Sequence, residues 1–187
     1  AFVQKRAASL LNAAIHLAGT SVLNNMGVFN AESDGWIGVN TTIGATGRFT
    51  NSGTFNKLGP GNMTVYAALD NSGAVNILSG TLLLRGAGAQ AMTGSFNGAA
   101  GAILDLGIIG AGRTATYHFS NSSSIAVEQM RLASGGVTAN FDGVYNVSGI
   151  TTVGSGTTSN FSPTATVLSL GASLVVSGGT ANFNNDE

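Results

Sequence analysis

From Leu23 onward, apolar-rich runs of four or five residues alternate with turns rich in Gly, Asn and Ser. Met63-Thr64-Val65-Tyr66, Ala74-Val75-Asn76-Ile77-Leu78, Thr81-Leu82-Leu83-Leu84 and Ser173-Leu174-Val175-Val176 are examples. Runs of this length, bounded by turn formers, predict short β-strands. A helix needs roughly 10 or more residues without Gly, and almost no such window exists after residue 20, so very little helix is expected. Inside the runs, apolar and polar positions alternate, as in Val137-Thr138-Ala139-Asn140-Phe141 and Val144-Tyr145-Asn146-Val147. That period of two gives each strand one face inward and one face in solvent.

The strands belong to a repeat. Asn51-Ser52-Gly53-Thr54-Phe55-Asn56 returns as Asn71-Ser72-Gly73-Ala74-Val75-Asn76. So short a period marks a chain that winds in coils, each buried against the next. A recurring large apolar residue tracks the register through Phe2, Leu23, Phe49, Leu69, Phe96, Phe119, Phe141, Phe161 and Phe183. The gaps run from 20 to 27 residues and average about 22, which predicts about eight coils. A coil of that length holds three short strands and three turns. Stacking sets each strand parallel to its counterpart in the next coil, about 4.8 Å away. The reading is an all-β, right-handed parallel β-helix over residues 1–187.

The turns should stack as well. A side-chain amide both donates and accepts, so equivalent asparagines can bond along the axis. Asn24, Asn51, Asn71 and Asn121 are the candidates for this ladder, with the adjacent Gly expected to supply positive φ. Residues 1–22 are Ala- and Leu-rich and read either as a short capping helix or as a divergent first coil. The divergent coil is preferred, with Phe2-Val3-Gln4-Lys5 placed like Phe55-Asn56-Lys57. Glu32–Ile37 reads as an irregular, insertion-like stretch.

Composition narrows the functions available. Charged residues are 8% of the chain and hydrophobic residues 43%, so the chain should fold rather than stay disordered. Seven basic and eight acidic residues nearly cancel, and no basic stripe exists to neutralise phosphates, which excludes a nucleic-acid binder. There is no Cys, hence no disulfide and no thiolate metal site. No apolar run approaches the roughly 18 residues that span a membrane. The first residue is Ala and no signal-peptide pattern precedes it, which predicts a processed product or an excised segment.

Candidate chemistry is sparse. Asp34, Asp70, Asp105 and Asp142 are spaced 36, 35 and 37 residues apart, about one and a half coils. Alternate members share a face but stand three coils, roughly 14 Å, apart. Glycosidase carboxylates need about 5–9.5 Å. Glu32, Glu128, Asp186 and Glu187 add no cluster. Asp70 with Arg48 or Arg85, and Asp105 with Arg113, read as surface ion pairs. His16 and His118 are far apart and lack further ligands, so no metal or cofactor is expected. Five Asn-X-Ser/Thr patterns, at Asn40, Asn62, Asn121, Asn146 and Asn160, are chance-level in so polar a chain. Trp36 is the one candidate for stacking on a sugar, against the alternative that it covers the core beneath a long loop. Thr-X-Thr occurs at Thr114/Thr116 and Thr164/Thr166; a flat Thr ladder would suggest ice binding, but two isolated copies make none.

Gly53-Thr54-Phe55-Asn56-Lys57-Leu58-Gly59-Pro60-Gly61, Leu69-Asp70-Asn71-Ser72-Gly73-Ala74-Val75, Ser95-Phe96-Asn97-Gly98 and Ser177-Gly178-Gly179-Thr180-Ala181-Asn182-Phe183 run in order. They resemble the repeats of large bacterial secreted and surface proteins of the autotransporter and filamentous-haemagglutinin-like adhesin type. The resemblance covers roughly residues 49–187. It implies a right-handed β-helix outside the cell and carries no catalytic motif. The expectation is a non-enzymatic extracellular stalk or adhesive surface. Its ends would be covered by other coils of the parent chain, by neighbouring subunits or by end-to-end assembly, and its lateral surface would meet a glycan or a host protein. The alternative is a carbohydrate-binding or polysaccharide-processing β-helix.

Overall fold

The computed structural model describes residues 1–32, 34–38, 47–110 and 112–184. Asp186, Glu187 and the glycosylation pattern at 40–42 lie outside the described residues. The chain is an all-β parallel β-solenoid of about eight turns, with no helix among the described residues. Each coil presents three sides. In the fourth coil these are Ala68–Asn71, Ala74–Ile77 and Thr81–Leu84. Every pairing between coils is parallel, and successive partners such as Phe49–Leu69 and Phe119–Phe141 lie about one coil length apart in sequence. The corner between the second and third sides is absorbed in coils six and seven. There Ser124–Leu132 and Val144–Val153 run through as single long strands, with a register shift between Val127 and Gln129.

The core follows from the period of two. Inward residues of all three sides, such as Phe49, Leu69, Phe55, Val75, Leu82 and Leu84, are buried and form one continuous cluster. Residues 1–22 begin with a complete first coil, Phe2–Gln4, Ala7–Leu10 and Ala14–His16, and not a capping helix. Its register follows the recurring apolar series that links Phe2, Leu23 and Phe49, and not the placing of Phe2-Val3-Gln4-Lys5 like Phe55-Asn56-Lys57. Phe2 pairs with Leu23 and so joins the column of Phe49, whereas Ala8 holds the place of Phe29 and Phe55. Phe96 also lies on the second side, opposite Val75 and Ile125. The first-side residue that aligns with Phe119 is Met92.

The repeated Asn-Ser-Gly turn is held along the axis. Ser72 and Gly73 N–H both donate to the Asn51 carbonyl of the coil before, at 2.8 and 3.0 Å. The glycine is there for closeness and not for a left-handed φ. Gly53 and Gly73 are absent from the positive-φ residues. A β-carbon on Gly73 would stand 2.1 Å from the Gly53 carbonyl oxygen, and one on Gly94 would stand 2.0 Å from that of Gly73. Those carbonyls accept from Ala74 and Ser95 N–H, so any side chain there would break the stacking.

Candidate functional site

The first side carries two adjacent inward columns whose chemistry changes hands midway. One column runs Leu23, Phe49, Leu69, then Tyr117, Ala139, Ser159 and Ala181, with Gln90 between the halves. The other runs Gln4, Asn25, Asn51, Asn71, Met92, Phe119, Phe141, Phe161 and Phe183. In its first half the second column is a buried amide ladder. Asn25 Nδ2 donates to Asn51 Oδ1 at 2.7 Å, and Asn51 Nδ2 to Asn71 Oδ1 at 2.7 Å. The second N–H of each amide crosses the turn, to Thr54 O and Ala74 O. In its second half the column is an aromatic stack, with Phe119–Phe141, Phe141–Phe161 and Phe161–Phe183 centroids 5.1, 4.8 and 4.8 Å apart.

The change happens where side chains replace main-chain partners. Buried Gln90 accepts from Leu69 N–H at 2.9 Å through Oε1 and donates to Gly86 O through Nε2. Asp70 Oδ1 accepts from Ala91 N–H at 3.0 Å. Those side chains satisfy the Leu69 and Ala91 N–H groups and the Gly86 carbonyl at the point where the polar column ends at Asn71.

Two of the expected ladder positions fall elsewhere. Asn24 pairs with Thr50 and faces outward; the ladder member is its neighbour Asn25. Asn121 is an exposed turn residue, and Met92 and Phe119 occupy the column beyond Asn71. Two outward ladders went unread in the sequence. Asn30, Asn56, Asn76 and Asn97 are joined at 2.9, 2.9 and 3.0 Å on the second side. Asn140, Asn160 and Asn182 are joined at 2.8 and 2.7 Å on the first side. The signals were present as the last Asn of each quoted repeat and as Asn-Phe recurring at residues 140, 160 and 182.

Trp36 sits in a regular strand, Gly35–Gly38, on the third side and not in a loop. Ile37 beside it points into the core, so Trp36 faces out, partly exposed. Its ring meets His16 at 4.4 Å and Tyr66 at 6.0 Å, both edge-on at 75° and 70°. Rings at such angles share no common plane on which a sugar could lie. Tyr117 and Tyr145 are buried. The Tyr117 hydroxyl lies 2.9 Å from Leu84 O and 2.8 Å from Gly107 O, and Tyr145 Oη lies 2.8 Å from Thr151 Oγ1. Burial pushes both phenols above their ordinary values.

The acids are committed one by one. Asp70 pairs with Arg48, Asp142 with His118 at 2.7 Å, and Asp105 with Arg85 at 2.9 Å rather than with Arg113. Arg85 reaches Asp105 because Leu84, its chain neighbour, is in the coil below, with Leu83 directly opposite Asp105. This pair is largely buried, with side chains 14% and 10% exposed, so it is not a surface pair. Burial raises the Asp105 carboxyl above its ordinary value, and Arg85 only partly offsets that. Asp34 accepts from Asn62 N–H at 2.5 Å and Glu128 from Gly101 N–H at 2.6 Å. Among the described residues no three His, Asp or Glu side chains gather to hold a metal ion.

Lys57 was missed. It occupies an inward position between Ala31 and Ile77 and is fully buried. Its ammonium donates to the Gly59 and Ser79 carbonyls, the latter at 3.1 Å. Desolvation lowers its pKa from the ordinary 10.5, partly opposed by Asp34. The folded state then binds fewer protons than the unfolded state between the lowered value and 10.5. Stability should therefore rise with pH through that window. Urea midpoints of the native chain and of Lys57→Met, measured from pH 7 to 10.5, test this. The native chain should gain on the variant as pH rises, and parallel profiles would contradict the assignment.

Searches against protein-family models, curated proteins and solved structures find no match to this chain.

Proposed function

We propose that the chain is a non-enzymatic structural segment of an extracellular, adhesin-like solenoid, a stalk whose two ends are docking surfaces. The observation that carries this reading is the axial stacking of the coils, joined in parallel register and through the amide column and then the ring column. Apolar surface is also left bare at both ends. At the first coil, Phe2 is 67% exposed and a cavity of about 520 Å³ opens among Phe2, Gln4, Ile15, Leu17, Leu23 and Phe29. At the last, Leu174, Val176 and Phe183 hold inward-column positions yet are 38%, 47% and 46% exposed. Both ends also present unpaired strand edges, which are templates for further pairing. Other coils of the parent chain, or neighbouring subunits stacked end to end, would cover them. The stacking supplies the stiffness a stalk requires, because the coils are paired strand to strand throughout, with amide ladders added in the first half and a ring stack in the second. Five of the carboxylates are tied to an arginine, a histidine or a backbone N–H, which fits a scaffold better than an acid–base pair. The carbohydrate-binding alternative rests on Trp36 and Tyr66 alone, since the other two tyrosines are buried.

Static light scattering tests the reading. The purified chain should gain mass with concentration, and Leu174→Lys should hold it nearer the monomer. An unchanging monomeric mass for the native chain at high concentration would remove the case for end docking.

A further inference from the structure

The outward face of the first side holds an array that the Thr-X-Thr motifs do not reveal. Thr116, Thr138, Thr158 and Thr180 are register partners in four successive coils. Two residues further along the same strands stand His118, Asn140, Asn160 and Asn182, again partners. Both rows face out, because the intervening Tyr117, Ala139 and Ser159 and the following Phe119, Phe141 and Phe161 are buried. No register shift interrupts the four strands. The rows therefore repeat about every 4.8 Å along the axis and stand about 6.7 Å apart along the strand.

The array is stiff. The Phe stack lies directly beneath it, and the asparagines are bonded to one another at 2.8 and 2.7 Å. A β-branched side chain has a restricted χ1, so successive threonines hold a common direction. Among the described residues the four threonine hydroxyls bond to no protein group. Each asparagine keeps an N–H and a carbonyl lone pair to spare. No charged or aromatic side chain stands among the three asparagines and four threonines. His118, bonded to Asp142, closes one edge.

We infer that this threonine–asparagine face binds ice. An ice surface is a rigid lattice of oxygens that offers donors and acceptors at fixed repeats. The two spacings of the face are close to the oxygen repeats on a prism plane of hexagonal ice. Hydroxyls and amides match both roles of lattice water, and the threonine methyls cover the ground between rows. Other solids and polymers fit less well. A nucleic acid would need positive charge, and a crystalline polysaccharide would need exposed rings for stacking. The inference does not depend on what covers the ends of the solenoid.

The experiment is incorporation of the dye-labelled, full 187-residue chain into slowly growing ice, with ice-crystal shape followed in the same solution. The native chain should be enriched in the ice and should facet the crystals. Thr158→Tyr puts a bulky ring in the middle of the array and should cut the ice-bound fraction by at least about tenfold. Thr138→Lys serves as a second disruption if Thr158→Tyr misfolds. Thr54→Tyr, on the second side, should leave incorporation unchanged. Circular dichroism establishes that each variant is folded. The inference is overturned if the native chain is excluded from ice like an unrelated soluble protein. It is equally overturned if folded face variants incorporate as well as the native chain, or if the chain is retained on microcrystalline cellulose and excluded from ice.

Discussion

Phe141→Ala should lower stability by about 3–5 kcal/mol, the largest loss expected from any single truncation in the core. Phe141 is 2% exposed and sits at the middle of the ring stack. It lies nearly parallel to Phe119 and Phe161, at 18° and 21°, and edge-on to Tyr145 at 5.0 Å. Its neighbour in the adjacent column is Ala139, too small to fill the hole. The residual cavity then adds its own cost to the lost burial. Phe183→Ala supplies the comparison. Phe183 belongs to the same stack but is 46% exposed, with a partner on one side only, so its loss should be a fraction as large. Urea unfolding followed by circular dichroism measures both. Equal losses would mean that the stack is not the organising element of the last coils.

The second large effect is expected at Asn51→Leu. Leucine matches the volume but strands three groups in the interior: one N–H of Asn25, the Asn71 Oδ1 and the Ala74 carbonyl. An orphaned buried group costs about 1–3 kcal/mol, so a loss of at least about 3 kcal/mol is expected. Asn160→Leu breaks bonds of the same length in the outward ladder, where water replaces the lost partners. That change should stay near 0.5 kcal/mol. The contrast isolates burial from hydrogen-bond geometry. If the two variants lost similar stability, the inward ladder would have no special standing.

Much of the architecture could be read from the sequence, and most of the failures share one cause. Turn residues and a period near 22 were enough for a parallel solenoid of about eight coils, because stacking demands that each coil repeat the length of the last. They were not enough to say which side of a coil a residue occupies. Phe96 and Met92 are both large, apolar and inward, and only the corner between them assigns them to different sides. Asn24 and Asn25 differ by one residue, and in a strand one residue reverses the facing. Thr114 and Thr164 lie outside the strands, so the Thr-X-Thr pattern touched the threonine row only at Thr116 and missed its other three members. That row was written as Thr-Ala-Asn-Phe, Thr-Ser-Asn-Phe and Thr-Ala-Asn-Phe from residues 138, 158 and 180. Lys57 was unreadable for a different reason. A lysine at an inward position looks like an error in the pattern until two carbonyls are found facing it.

The exchange of chemistry between the two inward columns bears on how such a chain can lengthen or shorten. Within the first four coils, one Asn-Ser-Gly unit can be duplicated or lost and amide still meets amide. Within the last four, one Asn-Phe unit can be copied and ring still meets ring. A recombination joining Asn51 directly to a Phe141-type coil would set an amide against a phenyl face and bypass the Gln90 and Asp70 contacts that manage the change. The geometry thus predicts two segments that each tolerate a change in repeat number, joined at the pair of coils that carries Asp70 and Gln90.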